Sequence, residues 1–176
     1  MHYDSDCQID LVTKKKDYGR NINNVLFDKN EACLIATNGK VMAKIPCDVL
    51  ETDPEKALIP AGIVKEMRMR NRSKGKSELI NTNGKLEYLT KNGIGLLEID
   101  VESDFPNWKM IAKDVPDENR SDKSISFNPK LLLDLAKALG SETAVTLLPY
   151  GGGKIKVVPH GENENKLGVL MGLRDE

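Results

Sequence analysis

Residues 34–46 read LIATNGKVMAKIP. An apolar run meets Asn38-Gly39, and a second run follows in which Val41, Ala43 and Ile45 alternate with Met42 and Lys44. Alternation of period two on both sides of Asn-Gly predicts a β-hairpin, because both central positions of the favoured turn need φ > 0. Just upstream, INNVLFD and EACLIAT flank Lys29-Asn30 and predict another hairpin.

Working outward, QIDLVT (8–13) alternates weakly and predicts a strand, and KKKDYGRN after it a charged turn or loop. ALIP (57–60) is a short strand ending at Pro60, which suits the first turn of a helix because its missing N–H has no partner there. In that helix, PAGIVKEMRMR, Ile63 and Met67 share one side, while Lys65, Arg68 and Arg72 share another. SELINT, KLEYLT and GIGLLEIDV predict three strands joined at Asn83-Gly84 and Asn92-Gly93, and ESDFPNWKMI an irregular apolar segment. Residues 112–123 form a charged linker with a proline. SISF predicts a strand. NPKLLLDLAKALG predicts a helix with Asn128 as N-cap, Pro129 at the first position and Gly140 as the stop. TAVTLLP, KIKVVP and KLGVLMGLR then predict strands, with a tight turn at YGGG.

Residues 56–101 and 123–173 thus share one layout, a short strand, a proline-started helix and three strands. Residues 8–46 supply a comparable set of strands without a helix. The predicted class is α+β, with antiparallel sheets of repeated βαβββ units and two helices packed on one face. The predicted division is a pair of units over 1–113, a linker over 114–122 and a C-terminal unit over 123–176, able to form one compact body with the rest.

Composition narrows the function. The chain has 176 residues, 39% hydrophobic and 30% charged, with only 5% aromatic, so its core is mostly aliphatic. A net charge of −1 excludes a protein that coats nucleic acid by bulk charge. Cys7, Cys33 and Cys47 are odd in number and lack a CxxC spacing, which predicts buried free thiols in a reducing compartment. No apolar run approaches the roughly 18 residues that span a membrane, and the polar, acidic N-terminus is unlike a signal peptide. The expected location is cytoplasmic.

No catalytic constellation assembles. The two histidines, His2 and His160, have no nucleophile elbow to serve, and neither GxGxxG nor GxxxxGK[ST] is present. Gly151–Gly153 joins two strands and lacks the helix that would cradle phosphate. Asp100, Glu102 and Asp104 alternate and read as a solvated strand end before a metal site. No enzyme activity, cofactor or metal is expected. The positive signal is basic: Lys65, Arg68, Arg70, Arg72, Lys74 and Lys76 stand against Glu66 alone, while the second helix offers Lys130 and Lys137. A charge run is by default a solvated face. Without interleaved aromatics, any DNA contact it made would be to the backbone and salt-sensitive.

Four stretches, in order, resemble the bacterial DNA sliding clamp, the beta subunit of DNA polymerase III. LIATNGKVMAKIP resembles that family's strand, Thr-Asp-Gly turn and strand. ALIPAGIVKEM resembles the strand and helix that follow. DFPNWKMI resembles its Phe-Pro-Asp-Tyr segment. SISFNPKLLLDLAKALGSETAVTLLP with KLGVLMGLR resembles its final half-domain and Met-Pro-Met-Arg-Leu ending. This chain is shorter, carries Asn38 in place of the acid, and has Gly172 in place of the C-terminal proline.

The resemblance implies a DNA-replication accessory protein of the processivity-factor type. It would bind short clamp-binding motifs of polymerases or other partners and, without sequence specificity, duplex DNA. The implied peptide cleft is Thr37, Gly39, Lys40, Val41 and Met42; Pro106, Met110 and Ile111; and Leu170, Met171, Gly172, Leu173 and Arg174. Methionines adapt to varied partners. Alternate strand residues bury one face, so Val41 and Leu170 read equally as core. The implied DNA-facing residues are Lys65, Arg68, Arg72, Lys130 and Lys137. Cyclic closure of about twelve units at three per chain would need about four chains. The alternative is a module outside any ring that captures or mimics clamp partners.

Overall fold

The computed structural model describes residues 1–4, 6–14, 20–71, 76–82, 85–90, 93–98, 104–113, 125–141, 144–160 and 165–173. The strands are β1 (His2–Asp4), β2 (Asn24–Asp28), β3 (Cys33–Thr37), β4 (Val41–Pro46), β5 (Lys56–Pro60), β6 (Lys76–Thr82), β7 (Lys85–Thr90), β8 (Gly93–Glu98), β9 (Val145–Tyr150), β10 (Lys154–Pro159) and β11 (Leu167–Met171). The helices are α1 (Ala61–Asn71), α2 (Trp108–Lys113) and α3 (Pro129–Ala138).

Every strand pair is antiparallel, in two sheets ordered β1-β6-β7-β8 and β5-β2-β3-β4-β11-β10-β9. The larger sheet draws on both ends of the chain, because β11 lies beside β4 with Leu170 opposite Val41 and Val169 opposite Met42. One core forms where the inner faces of both sheets meet α1 and α3. Phe27, Leu34 and Ile45 come from the larger sheet, Leu79 and Leu86 from the smaller, and Val64, Met67 and Leu135 from the helices. The class is the one the pattern predicts, α+β with antiparallel sheets and two helices on one face.

Local signals placed most elements. Asn128 caps α3 by accepting from Lys130 N at 2.9 Å, and Gly140 stops it with φ of +71°. The three cysteines are free and buried, and burial pushes their thiol pKa values to about 11 for Cys7 and about 12 for Cys33 and Cys47.

Five expectations change. QIDLVT is not a strand: Ile9–Val12 make a 3-10 turn, which puts Ile9 and Val12 on one side, both fully buried. That turn packs against both α1 and α3. His2–Asp4, read only as a polar terminus, is edge strand β1 paired with β6. Pro60 closes β5 opposite Asn24 instead of opening α1. Helix α2 begins within the 102–111 segment expected to be irregular and runs into the start of the expected linker, on the sheet face opposite α1 and α3, where Trp108, Ile111 and Ala112 cover Leu26, Ile35, Met42 and Val169. Residues 125–127 are not a strand, although Ser126 O accepts from Leu173 N at 2.7 Å. Asn83-Gly84, Asn92 and the linker 114–122 lie outside the described residues, as do Asp100, Glu102 and most of the 14–21 loop; Gly93 opens β8, opposite Thr90.

Candidate functional site

The turn between β3 and β4 is built by two side chains. Thr37 Oγ1 donates to Val41 O at 2.7 Å and accepts from Gly39 N at 3.1 Å. Asn38 Oδ1 accepts from Lys40 N at 2.9 Å and Val41 N at 3.1 Å, a side-chain mimic of a backbone turn. Asn38 N donates to Val41 O at 3.3 Å, so the central pair is Gly39-Lys40 and only Gly39 has positive φ, at +86°. The turn therefore sits one residue later than the Asn-Gly rule places it. Asn38 serves by its carbonyl oxygen, which an aspartate would supply equally well.

β11 reaches this turn. Met171 N donates to Lys40 O at 2.8 Å, Gly172 N to Gly153 O at 2.7 Å, and Leu173 N to Ser126 O at 2.7 Å. Strand alternation then sorts the predicted cleft. Val41 and Leu170 point into the main core, 2% and 0% exposed. Met42 and Val169 point to the opposite face, under α2, and Ile111 packs there with them. Lys40 and Met171 continue that face into solvent, where Met171 is 38% and Leu173 60% exposed. Thr37 is buried as a turn former, and Gly39 is exposed. Gly172 is hemmed in, since a Cβ there would lie 2.5 Å from Ile125 Cγ2 and 3.0 Å from Gly153 O.

The structure thus brings the turn and β11 together and sets Ile111 on the same face. Met110 is exposed on α2. Pro106 lines a separate pocket with Leu26, Asp28 and Leu58, to which neither the turn nor β11 contributes a residue. Arg174 lies outside the described residues.

Sequence reasoning missed what fastens α2. Glu31, in the β2–β3 turn, holds Lys109 Nζ at 2.6 Å and Lys44 Nζ at 3.5 Å. Both lysines lie over the Trp108 ring, at 4.8 Å for Lys44 and 5.6 Å for Lys109. The Lys109 hydrogen bond holds the Glu31 carboxyl below its ordinary pKa, and Glu31 in turn raises that of Lys109. Glu31 and Lys109 are 78 residues apart, so no local pattern announces the pair.

Four of the five predicted DNA-facing cations lie on α1 and α3. Lys65, Lys130 and Lys137 are exposed. Arg68 is not available in the same way: its Nε and Nη2 donate to the two oxygens of Asp10 at 3.0 and 3.2 Å, with both side chains largely buried. Arg72 lies outside the described residues. No group of three or more His, Cys, Asp or Glu among the described residues could hold a metal ion. No helix among them is long and apolar enough to cross a membrane.

No family model matches the chain and no curated protein does. Solved structures do match. The DNA polymerase III subunit beta of Borrelia burgdorferi, solved in complex with a natural product, superimposes with a TM-score of 0.71 at 13% identity, covering 100% of this chain and 64% of that one. The DNA polymerase sliding clamp of Pseudomonas aeruginosa gives 0.70 at 13% identity, over 99% of this chain and 66% of that one. The beta subunit of Thermotoga maritima gives 0.69 at 14% identity, over 100% and 65%. The fold is that of the sliding clamp, and this chain spans 64–66% of the length of these matches.

Proposed function

We propose that this chain, built on the sliding-clamp fold, is a non-enzymatic accessory protein of DNA replication that captures short apolar peptide motifs at the corner between the β3–β4 turn and the end of β11. The observation that carries this reading is the Met171 N–Lys40 O bond, which stands two exposed apolar side chains, Met171 and Leu173, beside an exposed basic turn. Apolar anchors rimmed by a cation suit a peptide with apolar residues and an acid or free carbonyls. Of the implied cleft, Gly39, Lys40, Met110, Met171 and Leu173 are exposed, all but Met110 at this corner. Val41, Met42 and Leu170 support them from below.

The test titrates a fluorescent peptide carrying a clamp-binding motif into the protein and into Met171→Lys. Binding by the native chain and its loss in the variant are expected. Equal binding by both, or by neither, refutes the site. For duplex DNA, Lys65, Lys130 and Lys137 form the candidate contact, and binding should weaken steeply with salt. The ion pair that occupies Arg68 favours a second reading, a module that captures clamp partners without encircling DNA. Salt-dependent DNA retention that falls in a Lys65/Lys130/Lys137→Ala triple variant separates the two. Light scattering with and without DNA tests for a homo-oligomer.

A further inference from the structure

The pocket beneath residues 104–109 has a chemistry of its own. Its volume is about 390 Å³. Leu26 and Leu58, cross-strand neighbours on β2 and β5 and both buried, make the floor, while Phe105, Pro106 and Trp108 line it from the overlying segment. Asp28 also lines it, only 2% exposed. Its Oδ1 accepts one long bond, from Glu31 N at 3.3 Å, and its Oδ2 accepts none among the described residues. A second carboxylate, Asp104, stands exposed among the lining residues.

We propose that this pocket binds an alkylguanidinium, the side-chain chemistry of arginine. A nearly buried carboxylate with open acceptor capacity favours a cation that can donate, since an apolar guest would leave it unpaired and an anion would be repelled. Guanidinium fits better than ammonium: its planar edge offers two parallel N–H groups to one carboxylate, and it lies well against aromatic rings. The two leucines suit the methylene stem. Two lysines also line the pocket. Lys109 is held by Glu31 at 2.6 Å, which leaves its charge paired. Lys56 stands opposite Asp28 in the β2–β5 register, is exposed, and competes with the guest for the same carboxylate. The site shares no residue with the turn or β11, and it stands whether or not the peptide corner binds.

The experiment follows Trp108 fluorescence, from the single tryptophan of the chain, in the intact protein. The probes are Nα-acetyl-arginine methylamide, agmatine, and the neutral isostere Nα-acetyl-citrulline methylamide. Saturable binding of the arginine amide is expected, with citrulline weaker by roughly tenfold or more because it lacks the charge. Asp28→Asn, nearly isosteric, should lose a similar factor, and Lys56→Ala should tighten binding by removing the competing cation. If agmatine binds as well as the amide, the site takes free alkylguanidines too; if only the amide binds, it takes arginine within a peptide. Equal binding of citrulline and arginine, no saturable response, or undiminished binding by a folded Asp28→Asn overturns the assignment. Should Asp28→Asn fail to fold, the citrulline contrast and Lys56→Ala still decide.

Discussion

Gly172 stands where the resembling family carries proline, and the structure gives a reason that can be measured. A Cβ at this position would lie 2.5 Å from Ile125 Cγ2, 3.0 Å from Gly153 O and 3.2 Å from Ser126 O. The first neighbour is the end of a side chain and can rotate. The other two are backbone carbonyls that themselves tie the end of β11 down, through the bonds to Gly172 N and Leu173 N. Overpacking of this kind costs about 1–3 kcal/mol, the expectation for Gly172→Ala. Gly172→Pro adds the loss of a 2.7 Å hydrogen bond, about 0.5–1.5 kcal/mol more, because proline has no N–H to give Gly153 O. With a urea slope of about 2 kcal/mol/M, the midpoint should fall by about 0.5–1.5 M for alanine and further for proline. Equilibrium unfolding read by Trp108 emission measures both. Ile125→Ala in the Gly172→Ala background should recover part of the loss, since it removes the closest contact and leaves the carbonyl contacts in place. A Gly172→Pro midpoint equal to that of the native chain would refute the account.

The remaining predictions concern the ion pairs. Asp10→Ala leaves the Arg68 guanidinium largely buried without its bidentate partner and should cost about 2–3 kcal/mol, a fall in Tm of about 5–10 °C by calorimetry. Lys65→Ala, on the exposed side of the same helix, should change stability by less than about 0.5 kcal/mol. Glu31 has a carboxyl pKa held below its ordinary value of 4.5 by Lys109, so its stabilising contribution is full above that value and is lost as pH falls through the lowered one. Acid titration should therefore loosen α2 late, below about pH 4.5, seen as a shift in Trp108 emission that Glu31→Gln removes.

The strands from Asn24 to Pro46 and the whole of α3 with its cap and stop were legible because each rests on residues within a few positions of one another. Asn128 and Lys130 are two apart, and Thr37 and Val41 are four apart. The 3-10 turn at Ile9–Val12 was misread because four residues hold too little pattern to tell a period of three from a period of two. Strand β1 was missed because His2, Tyr3 and Asp4 become a strand only when β6 offers its edge. The short α2 was missed for the same kind of reason, since Glu31, Lys44 and the sheet face beneath Trp108 hold it in place.

For the site, the presence of a hairpin turn between Thr37 and Val41 and the apolar character of the last strand were legible in the sequence, while the turn's central pair, Gly39-Lys40, was not. Which of those side chains meet solvent follows from how the strands pair. Strand alternation splits neighbours to opposite faces, so Val41 and Leu170 go to the core while Lys40 and Met171 stay outside, and that division depends on β11 pairing with β4 in one register. Tertiary packing also decided that Arg68, one of the predicted DNA-facing cations, serves the fold through Asp10, 58 residues away, and that Asp28 faces a pocket. Charge and periodicity are written along the chain, but the partner of a charge is set by elements that meet only after the sheets close.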